Sequence, residues 1–154
     1  PTHPRRHSSA ASDVYKRQEL PRFQSLMKKK MKIIETENAP RAIGTYSQAI
    51  ESNGFLFISG QIPLDPSTME LVEGIENQIK QVFQNIKQIL KANDMDFTNI
   101  VKLSVLLEDL NNFEKVNEIM AEIFSKPYPA RAAYEVSKLP KGSSIEIETI
   151  AFKE

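Results

Sequence analysis

The sequence predicts an α+β domain: a mixed β-sheet of about six strands with two helices packed on one face. Three observations carry this. Two segments repeat apolar residues every three to four positions, and several shorter ones alternate apolar and polar. The order is hairpin, helix, strand, helix, two strands, so helices lie in crossovers while hairpin turns supply antiparallel pairs. Finally, 40% hydrophobic and 26% charged residues in 154 positions suit one soluble domain with a real core.

The elements follow in order. "TYSQAIESNGFLFISGQIP" reads as a hairpin, with Tyr46 to Glu51 and Phe55 to Ser59 flanking Asn53-Gly54. That dipeptide accepts the positive φ angles a two-residue turn needs. "PLDPSTMEL" is a turn-rich loop. A helix is predicted over about Ile75 to Ala92, where Ile75, Ile79, Val82, Phe83, Ile86, Ile89 and Leu90 form one stripe opposite Lys, Gln and Asn. "IVKLSVLLED" is a strand with Val101, Leu103, Val105 and Leu107 on one face. "NNFEKVNEIMAEIF" is the second helix, capped by Asn111 or Asn112, with Phe113, Val116, Met120, Ile123 and Phe124 as its stripe and Asn117 inside it. The last strands, about Ala130 to Val136 and Ile145 to Phe152, are joined by "SKLPKGSS". The uncovered sheet face needs a partner, and Ile145, Ile147, Ala132 and Tyr134 are expected there.

Residues 1–30 differ from the rest. They hold eight Lys/Arg against two acids, leaving twelve against eighteen from Met31 onward, so a neutral total hides charges of +6 and −6. This leader lacks an apolar pattern and is expected to be disordered. "DVYKRQ" resembles a translated sequencing-library adapter, making the leader non-native; a mitochondrial transit peptide or a basic tail are the alternatives. The domain proper is 31–154. Both histidines, His3 and His7, lie in the leader, and there is no cysteine. Histidine bases, Ser-His-Asp or Cys-His centres and zinc deaminase sites are therefore excluded from the body. No metal is expected. No apolar run reaches the roughly 20 residues of a membrane span.

From Met31 onward the only arginines are Arg41 and Arg131. Arg131, in "PYPARAAYEV", has two readings. It is a structural ion pair with Glu135 or Glu148, or a clamp whose planar guanidinium holds a ligand carboxylate by two parallel hydrogen bonds. Glu146 and Glu148 share one face of the last strand, either as a solvated face or as one water-activating carboxylate with a structural partner. Asn117 must find partners for its amide. Gly44 and Gly60 allow close backbone approach, Tyr46 offers an aromatic wall with a polar tip, and Ser59 a hydroxyl at a strand end. No phosphate-binding glycine pattern occurs.

Together these stretches identify the chain as resembling the RidA (YjgF) family of enamine/imine deaminases, from about Lys32 to Lys153. "ENAPRAIGTYSQAI", "FISGQIPLDPSTMEL", "IVKLSVLLEDLNNFEKVNEI", "YPARAAYEV" and "LPKGSSIEIETIA" match in family order. The resemblance implies a bacillus chorismate mutase-like fold, a homotrimer, and sites between subunits. It also implies hydrolysis of 2-iminobutanoate and 2-iminopropanoate to 2-oxo acids and ammonia, without cofactor. Its carboxylate clamp falls on Arg131 and its water-positioning glutamate on Glu146. A backbone carbonyl contact to water falls on Ala133, where some members have cysteine. Tyr46, Ser59, Gly60 and Asn117 match its substrate-binding positions. Thr45, Met69, Leu106 and Met120 depart from common family residues, with pocket shape the property affected.

Two other functions fit parts of the pattern. A non-catalytic trimer binding small carboxylates would use the same arginine but not Glu146. A ribonuclease should present a basic surface with stacking aromatics, whereas this body is acidic and lacks tryptophan. The expected partners are a small imine or 2-oxo acid, not nucleic acid or membrane. The expected location is cytoplasmic, or mitochondrial if the leader is a transit peptide.

Overall fold

The structure is a computed structural model that describes residues 31–154; the leader expectations lie outside those residues. Six strands, β1 (Met31–Ile34), β2 (Ala49–Ser52), β3 (Phe55–Gln61), β4 (Ile100–Leu107), β5 (Ala130–Glu135) and β6 (Ile145–Phe152), form one sheet in the order β1-β2-β3-β6-β4-β5. Two helices, α1 (Ile75–Ala92) and α2 (Phe113–Ile123), cover one face. β4 and β5 are parallel because α2 crosses between them, while β2–β3, β3–β6 and β4–β6 are antiparallel. The mixed α+β sheet expected from the sequence is what forms.

The hairpin turn sits at Asn53-Gly54, with φ of 52° and 84°, and closes Ser52 against Phe55. A Cβ at residue 54 would also fall 2.5 Å from the Lys153 carbonyl, so glycine meets two demands there. α1 buries Ile79, Val82, Phe83, Ile86, Ile89 and Leu90 against the sheet, as its stripe requires. Two of its polar residues do not face water as expected: Gln78 and Asn85 are buried. Asn85 donates to the Leu64 carbonyl at 2.9 Å and accepts from Gln81. Gln78 donates to the Val72 carbonyl and accepts from the Ser144 amide at 2.9 Å. One helix thus ties down both the loop leaving β3 and the segment entering β6.

Two expectations about faces and one about a helix cap are corrected. Val101 is 42% exposed rather than in line with Leu103, Val105 and Leu107, because a register shift between Ile100 and Lys102 flips its parity and buries Ile100 instead. Ile145 and Ile147 are wholly buried beneath the helices, not on the open face. Alternation reveals which residues share a face but not which face the helices take. Ala132 and Tyr134 do lie on the open face, beside Ser104 and Leu106 in register. Asn112 makes no side-chain cap; Asp109 caps the preceding 3-10 turn by accepting from the Asn111 amide.

The open face is apolar toward one end. Phe55 and Phe57 of β3 are 40% and 47% exposed, and Phe55 packs at a tilt against Phe152 of β6 with ring centroids 4.8 Å apart. No helix among the described residues is long and apolar enough to cross a membrane.

Candidate active site

The residues singled out from the sequence gather in two clusters. Tyr46, Ser59, Gly60 and Glu146 line a cleft of about 560 Å³ at the open side of β3 and β6, with Arg41, Gln48, Lys141 and Glu148. Arg131 and Asn117 line a second pocket of about 410 Å³ beside β5 and α2, walled by Tyr128 and Pro129.

Sheet register separates the clusters. Arg131 pairs with Leu103 and faces the helices, whereas Glu146 pairs with Leu106 and faces the open side. Two strand spacings across and three residues along put their Cα atoms on the order of 14 Å apart, on opposite faces. No small ligand spans both within one chain.

In the first cluster, buried Gln48 staples the loop before the hairpin. Its amide donates to the carbonyls of Thr36, Ala39 and Pro40 and accepts from the Thr36 amide at 2.7 Å. The same loop carries Tyr46, whose hydroxyl accepts from the Ile43 amide at 3.2 Å and whose ring stays exposed. Ser59 donates its hydroxyl proton to the Ser47 carbonyl at 2.6 Å, so its oxygen is left to accept rather than donate. Glu146 is half-buried, and burial first, then the Glu148 carboxylate on the same face, holds its carboxyl above the ordinary value. A carboxylate so placed is a better proton acceptor from water than a solvated one.

In the second cluster Arg131 has no carboxylate partner among the described residues. Glu135, one of its expected partners, accepts from the Leu110 amide instead. The guanidinium donates to Asn117 Oδ1 at 2.6 Å and contacts Met120 Sδ at 3.4 Å. Its carbon stands 4.6 Å over the Phe113 ring. Neutral groups therefore orient the cation while leaving its charge uncompensated, which suits an anionic ligand. Asn117 is exposed at the border of the helix stripe rather than inside it, and spends its carbonyl oxygen on Arg131. Ala133 follows on the same strand, partly buried against the core and paired with Val105.

Sequence reasoning missed Gln48, Arg41 and Lys141, and took Phe113 for core alone. Gln48 carries no local signal, since its partners lie 8 to 12 residues away. Phe113 could have been found: it stands four residues before Asn117, which places both on one helix face beside the arginine.

Comparison with known proteins agrees with this architecture. Residues 36–153 match the family described as endoribonuclease L-PSP. A RutC family protein of Pyrococcus horikoshii is 54% identical over 123 residues, covering 79% of this chain and 98% of its own. The human 2-iminobutanoate/2-iminopropanoate deaminase is 51% identical over 123 residues, 79% of this chain and 90% of that protein. Among solved structures, RidA from the Antarctic bacterium Psychrobacter sp. superposes with a TM-score of 0.78 at 48% identity, covering 79% of this chain and 99% of that one. E. coli TdcF with bound serine gives 0.75 at 38% identity, covering 80% and 99%. The chain belongs to the endoribonuclease L-PSP family, that is, to the RidA (YjgF) family its sequence resembles.

Proposed function

We propose that the protein is a 2-iminobutanoate/2-iminopropanoate deaminase whose sites are completed between copies of the chain in a homotrimer. The observation that carries this is Arg131: a cation positioned by Asn117, Met120 and Phe113 yet without a carboxylate among the described residues. Relatives about half identical over most of the chain, named for this activity, support the substrate class. TdcF's bound serine is likewise a small carboxylate.

In this reading Arg131 of one copy holds the substrate carboxylate, fixing the adjacent C=N carbon against the cleft of a neighbouring copy. Glu146 there accepts a proton from water as its oxygen adds to that carbon, and the Ala133 carbonyl helps aim the water. The nitrogen takes up the proton, giving a carbinolamine, and collapse expels ammonia and leaves the 2-oxo acid. Ser59, with only lone pairs to offer, accepts from the substrate N–H, while Tyr46 walls the cleft. Alignment supplies most of the acceleration for a substrate that hydrolyses unaided.

The separation of the clusters within one chain supports assembly, as does the apolar patch of Phe55, Phe57 and Phe152 on the open face. The family description names a ribonuclease, but the body from Met31 onward has twelve Lys/Arg against eighteen Asp/Glu and no tryptophan, which disfavours an RNA surface.

The test couples a threonine dehydratase, which generates the imine, to timed 2-oxobutanoate formation. Arg131→Ala and Glu146→Gln should each be inactive. Equal amounts of the two, unfolded and reassembled together, should recover about one quarter of wild-type activity, the share of all subunit contacts in a randomly mixed symmetric oligomer that unite two intact clusters. Co-assembled mixtures that stay inactive defeat the shared site, and unaccelerated hydrolysis by the wild type defeats the function.

A further inference from the structure

β3 bulges at Ser59–Gly60: Ile58 pairs with Thr149 and Gln61 with Ile147, so three steps on β3 face two on β6. Gly60 is not among the residues with positive φ, so its backbone conformation is open to any residue. The space where its side chain would stand is nonetheless taken. A Cβ there would overlap Glu146 Oε1 outright and approach Cδ to 2.9 Å and Cγ to 3.2 Å. Among the described residues no hydrogen bond orients the Glu146 carboxylate, so packing alone sets its direction. The wall it packs on is the bare β3 backbone.

We propose that Gly60 is a positioning residue: by having no side chain, it leaves a seat against the β3 bulge that holds the Glu146 carboxylate toward the cleft. The inference rests on Glu146 being the carboxylate that activates water. Any side chain at 60 forces Glu146 to rotate off the seat, because the overlap involves Cδ and Cγ as well as the terminal oxygen. The carboxylate survives such a change and its aim does not. The effect therefore falls on turnover, with little change in carboxylate binding at Arg131.

The experiment is a double-mutant cycle of wild type, Gly60→Ala, Glu146→Ala and the double variant, read by melting temperature and by the coupled imine assay. Gly60→Ala should lower kcat at least about tenfold with KM within about twofold. It should also lower the melting temperature when read below pH 4.5, where the Glu146 carboxyl is protonated and leaving the seat gains no hydration of charge. In the Glu146→Ala background, where the seat is empty, the same change should cost no thermal stability. The general effect of alanine on the unfolded chain is equal in both backgrounds and cancels. Wild-type kcat in Gly60→Ala, or an equal thermal cost in both backgrounds, overturns the proposal. If Gly60→Ala alone fails to fold, a folded double variant supports the seat and an unfolded one overturns it. Wild-type turnover by Glu146→Ala would instead defeat the catalytic reading of Glu146, which the thermal cycle reports separately.

Discussion

Replacing Arg131 separates a binding cation from a structural one by magnitude. A buried ion pair broken at one partner costs about 3–5 kcal/mol of stability. The contacts here are of another kind. Stacking on Phe113 at 4.6 Å is worth about 0.5–1 kcal/mol at an exposed site. The bond to Asn117 Oδ1 joins two exposed side chains, so water replaces much of it, and about 1 kcal/mol is a generous allowance. Arg131→Ala should therefore cost about 1–2 kcal/mol, a melting shift of about 4–8 °C for a domain of this size. Catalysis should suffer far more. Two charge-assisted bonds to a substrate carboxylate, each worth about 1.5–3 kcal/mol, correspond to a loss of roughly 10² to 10⁴ in kcat/KM. Arg131→Lys keeps the charge but loses the fork and the planar face over Phe113, so it should fall between.

The assay is 2-oxobutanoate formation above the spontaneous rate, with melting curves on the same preparations. A folded Arg131→Ala protein with wild-type kcat/KM refutes the clamp. A melting loss well beyond about 10 °C refutes the account of its contacts and restores the structural ion pair.

Glu146→Gln should abolish turnover while raising the melting temperature at neutral pH. The folded carboxyl titrates above its ordinary value of 4.5, so between the two values the folded state binds more protons and stability falls as pH rises. The gain from glutamine should vanish below pH 4.5, and a uniform gain at all pH values would contradict the assignment. Wild-type activity should decline as pH falls through that raised value; Glu148→Gln should carry the decline to lower pH, with Arg41 and Lys141 the other charged groups lining the cleft. Light scattering should give about three times the 17.5 kDa chain, and Phe57→Glu should reduce it; a stable wild-type monomer refutes the trimer and the shared site together. Thr149→Val should stabilise by about 1 kcal/mol, because the buried Thr149 hydroxyl has no partner among the described residues; a loss of stability would mean the hydroxyl is bonded.

What the sequence disclosed follows from the range of the interactions involved. The limits of α1 were legible because a helix writes its buried stripe locally, and Ile75–Ala92 is where that stripe runs. The exposure of Val101 was not, since a one-residue slip against β6 belongs to two strands about a third of the chain apart. Gln78 and Asn85 were misplaced for a related reason: their amides are satisfied by carbonyls of loops, at Val72 and Leu64, that no periodicity announces. Arg131 was conspicuous by scarcity, but its state was not, because Glu135 had first to be seen bonding Leu110.

The division of the site is of the same origin. Motif residues lie near strand ends along the chain, and nothing in their spacing tells which of them share a pocket within one subunit. Strand register sends Arg131 and Glu146 to opposite faces of the sheet, so one chain presents only one of the two groups the proposed mechanism needs at any one ligand. The proposed roles require that distance to be closed, and the fold offers no hinge for it: β4 lies paired between β5 and β6 from Lys102 to Leu107. A second copy brings the other cluster without moving a strand. The cleft of one chain carries Arg41 and Lys141 against Glu146 and Glu148, so the uncompensated Arg131 of another would tip the balance toward an anionic ligand. On the proposed mechanism oligomerisation is a condition of the chemistry, and the apolar open face is the surface available to drive it.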